Sequence, residues 1–122
     1  MATVRVLIVD DQEPFRSAAR LVVGLTDGFE VSGEAASGES AVSMASELSP
    51  DLILMDINLP GIDGLEATRQ IVQAQSSAKV IVMSTYEPDE YEQRAIEAGA
   101  VAFMSKSDLD PDTLLESWLR HS

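Results

Sequence analysis

The sequence contains no cysteine. That excludes disulfides, thiolate metal sites and cysteine nucleophiles together. Basic residues are few, eight Lys and Arg against twenty-one Asp and Glu, for a formal net charge of −13. A nucleic-acid-binding surface needs a clustered basic patch. These eight are scattered, so direct binding of nucleic acid is not expected. Lysine occurs only at Lys79 and Lys106. The single histidine, His121, stands one residue from the end and carries no argument. No apolar run approaches the ~18 residues of a membrane span. The opening MATVRVLIVD runs straight into a strand-like segment, without a basic region or a small-residue cleavage site, so no signal peptide is expected. These absences fit a cytoplasmic protein.

What is present is ordinary for a globular chain. Apolar residues make up 45% and charged residues 24%, which favours a packed core over disorder. The length of 122 residues suits one domain, residues 1–122. Apolar runs and helix-like segments alternate from end to end. VRVLIV, Val4 to Val9, reads as a buried strand. Pro14 opens a helix with Phe15, Ala18, Ala19, Val22 and Leu25 at helical spacing, and Asp27-Gly28 breaks it. FEVSGEA, Phe29 to Ala35, alternates and predicts an edge strand. A second helix begins at Ser37-Gly-Glu-Ser and ends by Ser49-Pro50. Leu52 to Met55 is a third strand, and a helix with Leu65, Thr68, Ile71 and Val72 follows Gly64. VIVM, Val80 to Met83, is the fourth strand. Glu87-Pro88-Asp89-Glu90 then supplies the proline and acids of a helix start, and Gly99 its stop. Val101 to Met104 predicts a short fifth strand. Asp110-Pro111-Asp112 starts a last helix carrying Leu114, Leu115, Trp118 and Leu119. Five strands each followed by a helix imply an α/β, doubly wound parallel sheet with helices on both faces.

In such a sheet, ligands bind beyond the carboxyl ends of the strands. Asp10 and Asp11 follow the first strand, Asp56 the third, Ser84 and Thr85 the fourth, and Lys106 the fifth. Each has an ordinary explanation: a capping Asp pair, a turn starter, a hydroxyl on backbone, a lysine reaching for solvent. Those explanations do not predict that all of them share one rim. Three close carboxylates repel unless one holds a proton or a cation sits between them. An oxygen-only site without Cys or His suits Mg²⁺, or Mn²⁺. An ammonium and a hydroxyl beside it are groups that hold phosphoryl oxygens, and an ionised carboxylate can itself accept a phosphoryl group.

VLIVDD, LILMDINLPGIDG, VIVMST and AFMSKSD, in that order, resemble the receiver domain of two-component response regulators across the whole chain. The resemblance implies a (βα)5 flavodoxin-like fold of strand order 2-1-3-4-5. It implies that Asp56 accepts a phosphoryl group from a sensor histidine kinase, with Mg²⁺ held by Asp10, Asp11, Asp56 and the backbone carbonyl of Asn58. Ser84 matches the switch hydroxyl, Lys106 the lysine paired with the phosphoryl group, and Phe103 the aromatic residue that turns inward on activation. Phe103 taken alone is equally a core residue of the fifth strand. Receivers often carry Pro after the lysine, where Ser107 stands here. Lys106-Ser107-Asp108 is closer to LuxR-type DNA-binding regulators, which implies a helix-turn-helix effector domain absent from this chain and transcription as the output. Thr85 is larger than the usual residue after the switch hydroxyl, and is expected to affect access to the phosphoryl group. The domain is not expected to be an enzyme beyond self-phosphorylation from small donors and self-dephosphorylation. A phosphorylation-dependent homodimer is implied, through the face of the fourth helix, fifth strand and last helix or that of the first and last helices.

Other classes fit less well. A flavodoxin-type cofactor site needs a Ser/Thr/Gly-rich phosphate loop where Asp10-Asp11-Gln12-Glu13 would repel phosphate. An aspartyl phosphohydrolase places its nucleophile and general acid two residues apart, a spacing Asp10-Asp11 lacks. A stand-alone receiver, acting as a phosphorelay or interaction module without DNA-binding output, stays open.

Overall fold

The computed structural model describes residues 3–75, 77–85 and 91–121. Five strands, β1 (Val4–Val9), β2 (Phe29–Ala35), β3 (Leu52–Asp56), β4 (Lys79–Ser84) and β5 (Ala102–Ser105), alternate with five helices. These are α1 (Glu13–Leu25), α2 (Gly38–Leu48), α3 (Gly64–Ala74), α4 (Glu92–Ala98) and α5 (Pro111–His121). All pairings are parallel, and the order β2-β1-β3-β4-β5 is the one the motifs imply. β2 lies at the edge, as its alternation predicts.

The two-residue period of the strands divides the core into two layers. Leu7, Val9, Ile53, Met55, Val80 and Val82 face Ala41 and Ala45 of α2, Leu65 and Ile71 of α3, and Ala95 of α4. Val6, Ile8, Leu52, Leu54, Ile81 and Met83 face Ala19 and Val23 of α1 and Leu114 of α5. Helix ends follow local chemistry. The Ser37 hydroxyl accepts the Ser40 N–H at 3.1 Å, the Asp63 carboxylate accepts that of Glu66 at 2.8 Å, and Asp110 accepts that of Thr113 at 2.8 Å, each supplying an orphan donor of a first turn. Gly99 closes α4 at φ 110°, a left-handed conformation that glycine adopts without strain.

Several boundaries differ from the sequence reading. β3 runs one residue further, through Asp56, and β4 runs through Ser84, because ladder bonds to neighbouring strands carry these polar residues into the sheet. β5 begins at Ala102 rather than Val101. Lys106–Asp108 form a turn of 3-10 helix that periodicity does not reveal. Of the apolar residues named for the first and last helices, Ala18, Leu25, Leu115 and Leu119 are exposed; the buried lines of α1 and α5 run through Ala19 and Val23 and through Leu114, with Trp118 partly buried. Glu87 to Glu90, read as the start of α4, lie outside the described residues. Among the described residues no helix is long and apolar enough to cross a membrane.

Candidate functional site

The strands end on the same rim, and the rim is acidic. Asp10 leaves β1 with its N–H still bonded to the Ala35 carbonyl of β2 at 3.0 Å. Its carboxylate is fully buried. Oδ1 accepts the Gln12 N–H at 2.8 Å, and Oδ2 lies 2.5 Å from Lys106 Nζ. Arg16 Nη1, from the first turn of α1, donates to the Asp10 carbonyl at 2.6 Å. Asp11 is exposed beside it.

Asp56 ends the central strand β3 and is 5% exposed. Its Oδ1 accepts the Asn58 N–H at 3.3 Å and lies 3.4 Å from Lys106 Nζ. The following turn must reverse the chain tightly. Gly61 takes φ 73°. Gly64 approaches so closely that a methyl there would overlap the Asp56 carbonyl oxygen, while its N–H donates to the Ile57 carbonyl at 3.0 Å. This turn is what leaves Asp56 at the edge instead of beneath a helix. Asn58 itself is exposed.

Ser84 ends β4, fully buried and opposite Ser105 of β5. Thr85 after it is exposed. Phe103 pairs in register with Val82 and packs, partly buried, against the layer facing α2, α3 and α4, in keeping with its reading as a strand residue. It also lines an open groove of about 660 Å³ between β5 and α5. Lys106 turns back from β5 to bridge Asp10 and Asp56, with its side chain only 13% exposed.

Three carboxylates and one ammonium thus occupy one rim. Burial, and then the charge of Asp10, push the Asp56 carboxyl up to about 6; Lys106 and the Asn58 N–H pull the other way. One oxygen from each of Asp10, Asp11 and Asp56 lies within 4.8 Å of the others. Oxygens sharing one octahedral ion at Mg–O of about 2.1 Å lie roughly 3 to 4 Å apart; the all-oxygen chemistry of these donors fits a hard divalent cation, and their spacing places them near enough to converge on one.

Three contacts at the site were not legible in the sequence. Arg16 holds the Asp10 carbonyl. The Phe15 ring lies under the Lys106 ammonium. Glu39, in the first turn of α2, accepts the Ile62 N–H at 3.1 Å and so ties down the loop after Asp56. Phe15 and Arg16 stand about one helical turn past Asp11, the only hint; Glu39 reads simply as an acid at a helix start.

Fold and rim together define a doubly wound α/β protein with a carboxylate cluster and a lysine at the carboxyl end of its sheet. The chain belongs to the response regulator receiver domain family, which matches residues 6–118. It is 41% identical over 103 residues to the response regulator GacA of Pseudomonas viridiflava, covering 84% of this chain and 48% of that protein. Against the transcriptional regulatory protein DegU of Brevibacillus brevis it is 34% identical over 114 residues, covering 93% and 48%. The crystal structure of a LuxR-family two-component response regulator from Aurantimonas sp. SI85-9A1 superposes with a TM-score of 0.88 at 32% identity, covering 98% of this chain and 84% of that one. The chain spans about half the length of the curated relatives it matches.

Proposed function

We propose that residues 1–122 form one receiver domain that takes a phosphoryl group on Asp56 from a sensor histidine kinase in the cytoplasm. The observation that carries this is Asp56 itself, a carboxylate at the end of the central strand, flanked by Asp10, Asp11 and the Lys106 ammonium. Because its carboxyl titrates at about 6, it is largely ionised at neutral pH and needs no general base. An Asp56 oxygen bonds to phosphorus as the bond to the donor histidine nitrogen breaks. The electron pair leaves with that nitrogen, which takes up a proton. Asp10, Asp11, Asp56 and the Asn58 backbone carbonyl would hold Mg²⁺ or Mn²⁺, which offsets charge on the phosphoryl oxygens.

Lys106 and Ser84 then hold the remaining phosphoryl oxygens, Thr85 governs access to them, and Phe103 takes up the space that Ser84 vacates. The resulting change of surface governs a second copy of the chain or an effector domain. The domain has no turnover beyond self-phosphorylation and self-dephosphorylation. The regulatory role of DegU named above and the half-length coverage support a DNA-binding, helix-turn-helix effector and transcription as the output.

Incubation with Mg²⁺ and acetyl phosphate, followed by intact mass, tests the acceptor. One phosphoryl adduct is expected on the wild type and none on Asp56→Asn. An adduct that survives in Asp56→Asn assigns the wrong acceptor.

A further inference from the structure

Lys106 is enclosed on three sides, and the third is not a carboxylate. Its Nζ lies 2.5 Å from Asp10 Oδ2, 3.4 Å from Asp56 Oδ1 and 4.5 Å from the centroid of the Phe15 ring. Phe15 sits in the first turn of α1, beside Pro14, and is packed, partly buried, against the layer of Ile8 and Met83. Its position is therefore set by the core and not by the ammonium. The next residue, Arg16, ties the same turn to the Asp10 carbonyl at 2.6 Å. Ring and carboxylate thus form a fixed pair, and a lysine on a flexible four-carbon stem closes onto them.

The chemistry of this third wall matters because the rim is already overcharged. Another carboxylate would hold the lysine but would add to the repulsion on Asp56. An aliphatic side chain would add no charge but would attract no cation. A ring face attracts an ammonium through its quadrupole, more strongly where water is excluded, and brings no formal charge. The aromatic face meets both conditions, and unlike a neutral amide or hydroxyl it does so from within the apolar layer in which Phe15 is packed.

We propose that Phe15 is a positioning residue that acts through Lys106, holding the ammonium where it meets the phosphoryl group arriving at Asp56. The proposal rests on the reading of Asp56 as acceptor and Lys106 as its phosphoryl partner. It makes a sharp distinction between Phe15 as a π face and Phe15 as mere filling. Phe15→Leu keeps apolar bulk and removes the quadrupole; Phe15→Tyr restores it.

Initial rates of Asp56 phosphorylation by acetyl phosphate with Mg²⁺, read by intact mass, should fall about 3- to 10-fold in Phe15→Leu. They should return to within about twofold of wild type in Phe15→Tyr. In a Lys106→Met background the leucine substitution should cost nothing further. A urea-denaturation cycle across wild type, Phe15→Leu, Lys106→Met and the double variant reads the same contact without phosphorylation, and the two substitutions should be non-additive. A wild-type rate in Phe15→Leu, an equal loss in the Lys106→Met background, or an additive urea cycle each overturns the proposal while leaving Asp56 as acceptor. If the wild type takes no phosphoryl group, the reading of Asp56 fails first and the proposal with it.

Discussion

Strand β3 has an aspartate at each end, and the two live in opposite electrostatic worlds. Asp51, just before Leu52, is exposed. Its Oδ2 accepts the Arg5 N–H at 2.9 Å, its own N–H donates to the Arg5 carbonyl at 2.9 Å, and its carbonyl accepts from Lys79 at 3.1 Å. It finishes the sheet by joining β1 and β4 to the start of β3, and its charge stays in water. Asp56, at the other end, is 5% exposed, faces a second buried carboxylate, and has one lysine for relief. The same side chain on the same strand is a backbone partner at one end and a strained charge at the other. What differs is the rim: at the carboxyl end the last residue of β3 and the residues just after β1 and β5 bring their ionisable groups together.

The largest expected difference concerns chemistry. Asp51→Asn should take a phosphoryl group from acetyl phosphate as the wild type does, whereas Asp56→Asn should take none, by intact mass. Next comes the lysine that makes the crowded end tolerable. Lys106→Met leaves Asp10 and Asp56 facing each other without their cation. Breaking a buried pair on one side costs about 3–5 kcal/mol, and urea denaturation at pH 7 in EDTA should show a loss near the lower figure, because Asp56 can take a proton instead. A loss below about 1 kcal/mol would mean that this pair behaves like a surface one.

A third expectation follows from protonation. The Asp56 carboxyl is raised from 3.8 to about 6, so the native state binds its proton more tightly than the unfolded chain does. The native state is therefore favoured by a proton on Asp56 below pH 4, and this advantage is lost as pH rises towards 6. The size is about 2–3 kcal/mol. Asp56→Asn removes the ionisation, so in EDTA its stability relative to wild type should be greater at pH 7 than at pH 4 by roughly that amount. A gap that does not change with pH would show that Asp56 is not strained by its charge.

How much of this contrast could be read from the sequence follows from what periodicity records. Strand positions were legible, because β-branched runs and turn residues report burial locally; their order was implied only by the resemblance of the four motifs to receiver domains. Asp10, Asp11, Asp56, Ser84 and Lys106 were legible as a group because each ends a strand, and topology alone gathers strand ends. The one-residue extension of β3 to Asp56 was not, since a charge at the end of an apolar run reads as the first residue of a turn. Which apolar residues of α1 and α5 face the core was not legible, because such residues cover more than one face of each helix and only packing selects between them; Ala18, Leu25, Leu115 and Leu119 are the ones left exposed. Contacts across elements, such as Phe15 with Lys106 or Glu39 with Ile62, depend on helix placement and leave no trace in spacing.

The smallest effect tests the quiet end of β3. If Asp51 acts only through the hydrogen bond from Arg5 N–H, its charge is irrelevant and its acceptor oxygen is what counts. Asparagine keeps that oxygen, so Asp51→Asn should change stability by less than about 0.5 kcal/mol. Alanine removes it, and the freed N–H must turn to water at an exposed site, which sets the loss in Asp51→Ala at about 0.5–1 kcal/mol. Urea denaturation of the two variants side by side reads this directly. Equal losses in both would make the carboxylate charge, not the acceptor, the working part of Asp51. The two ends of β3 would then differ in how well their charges are solvated and not in what their aspartates do.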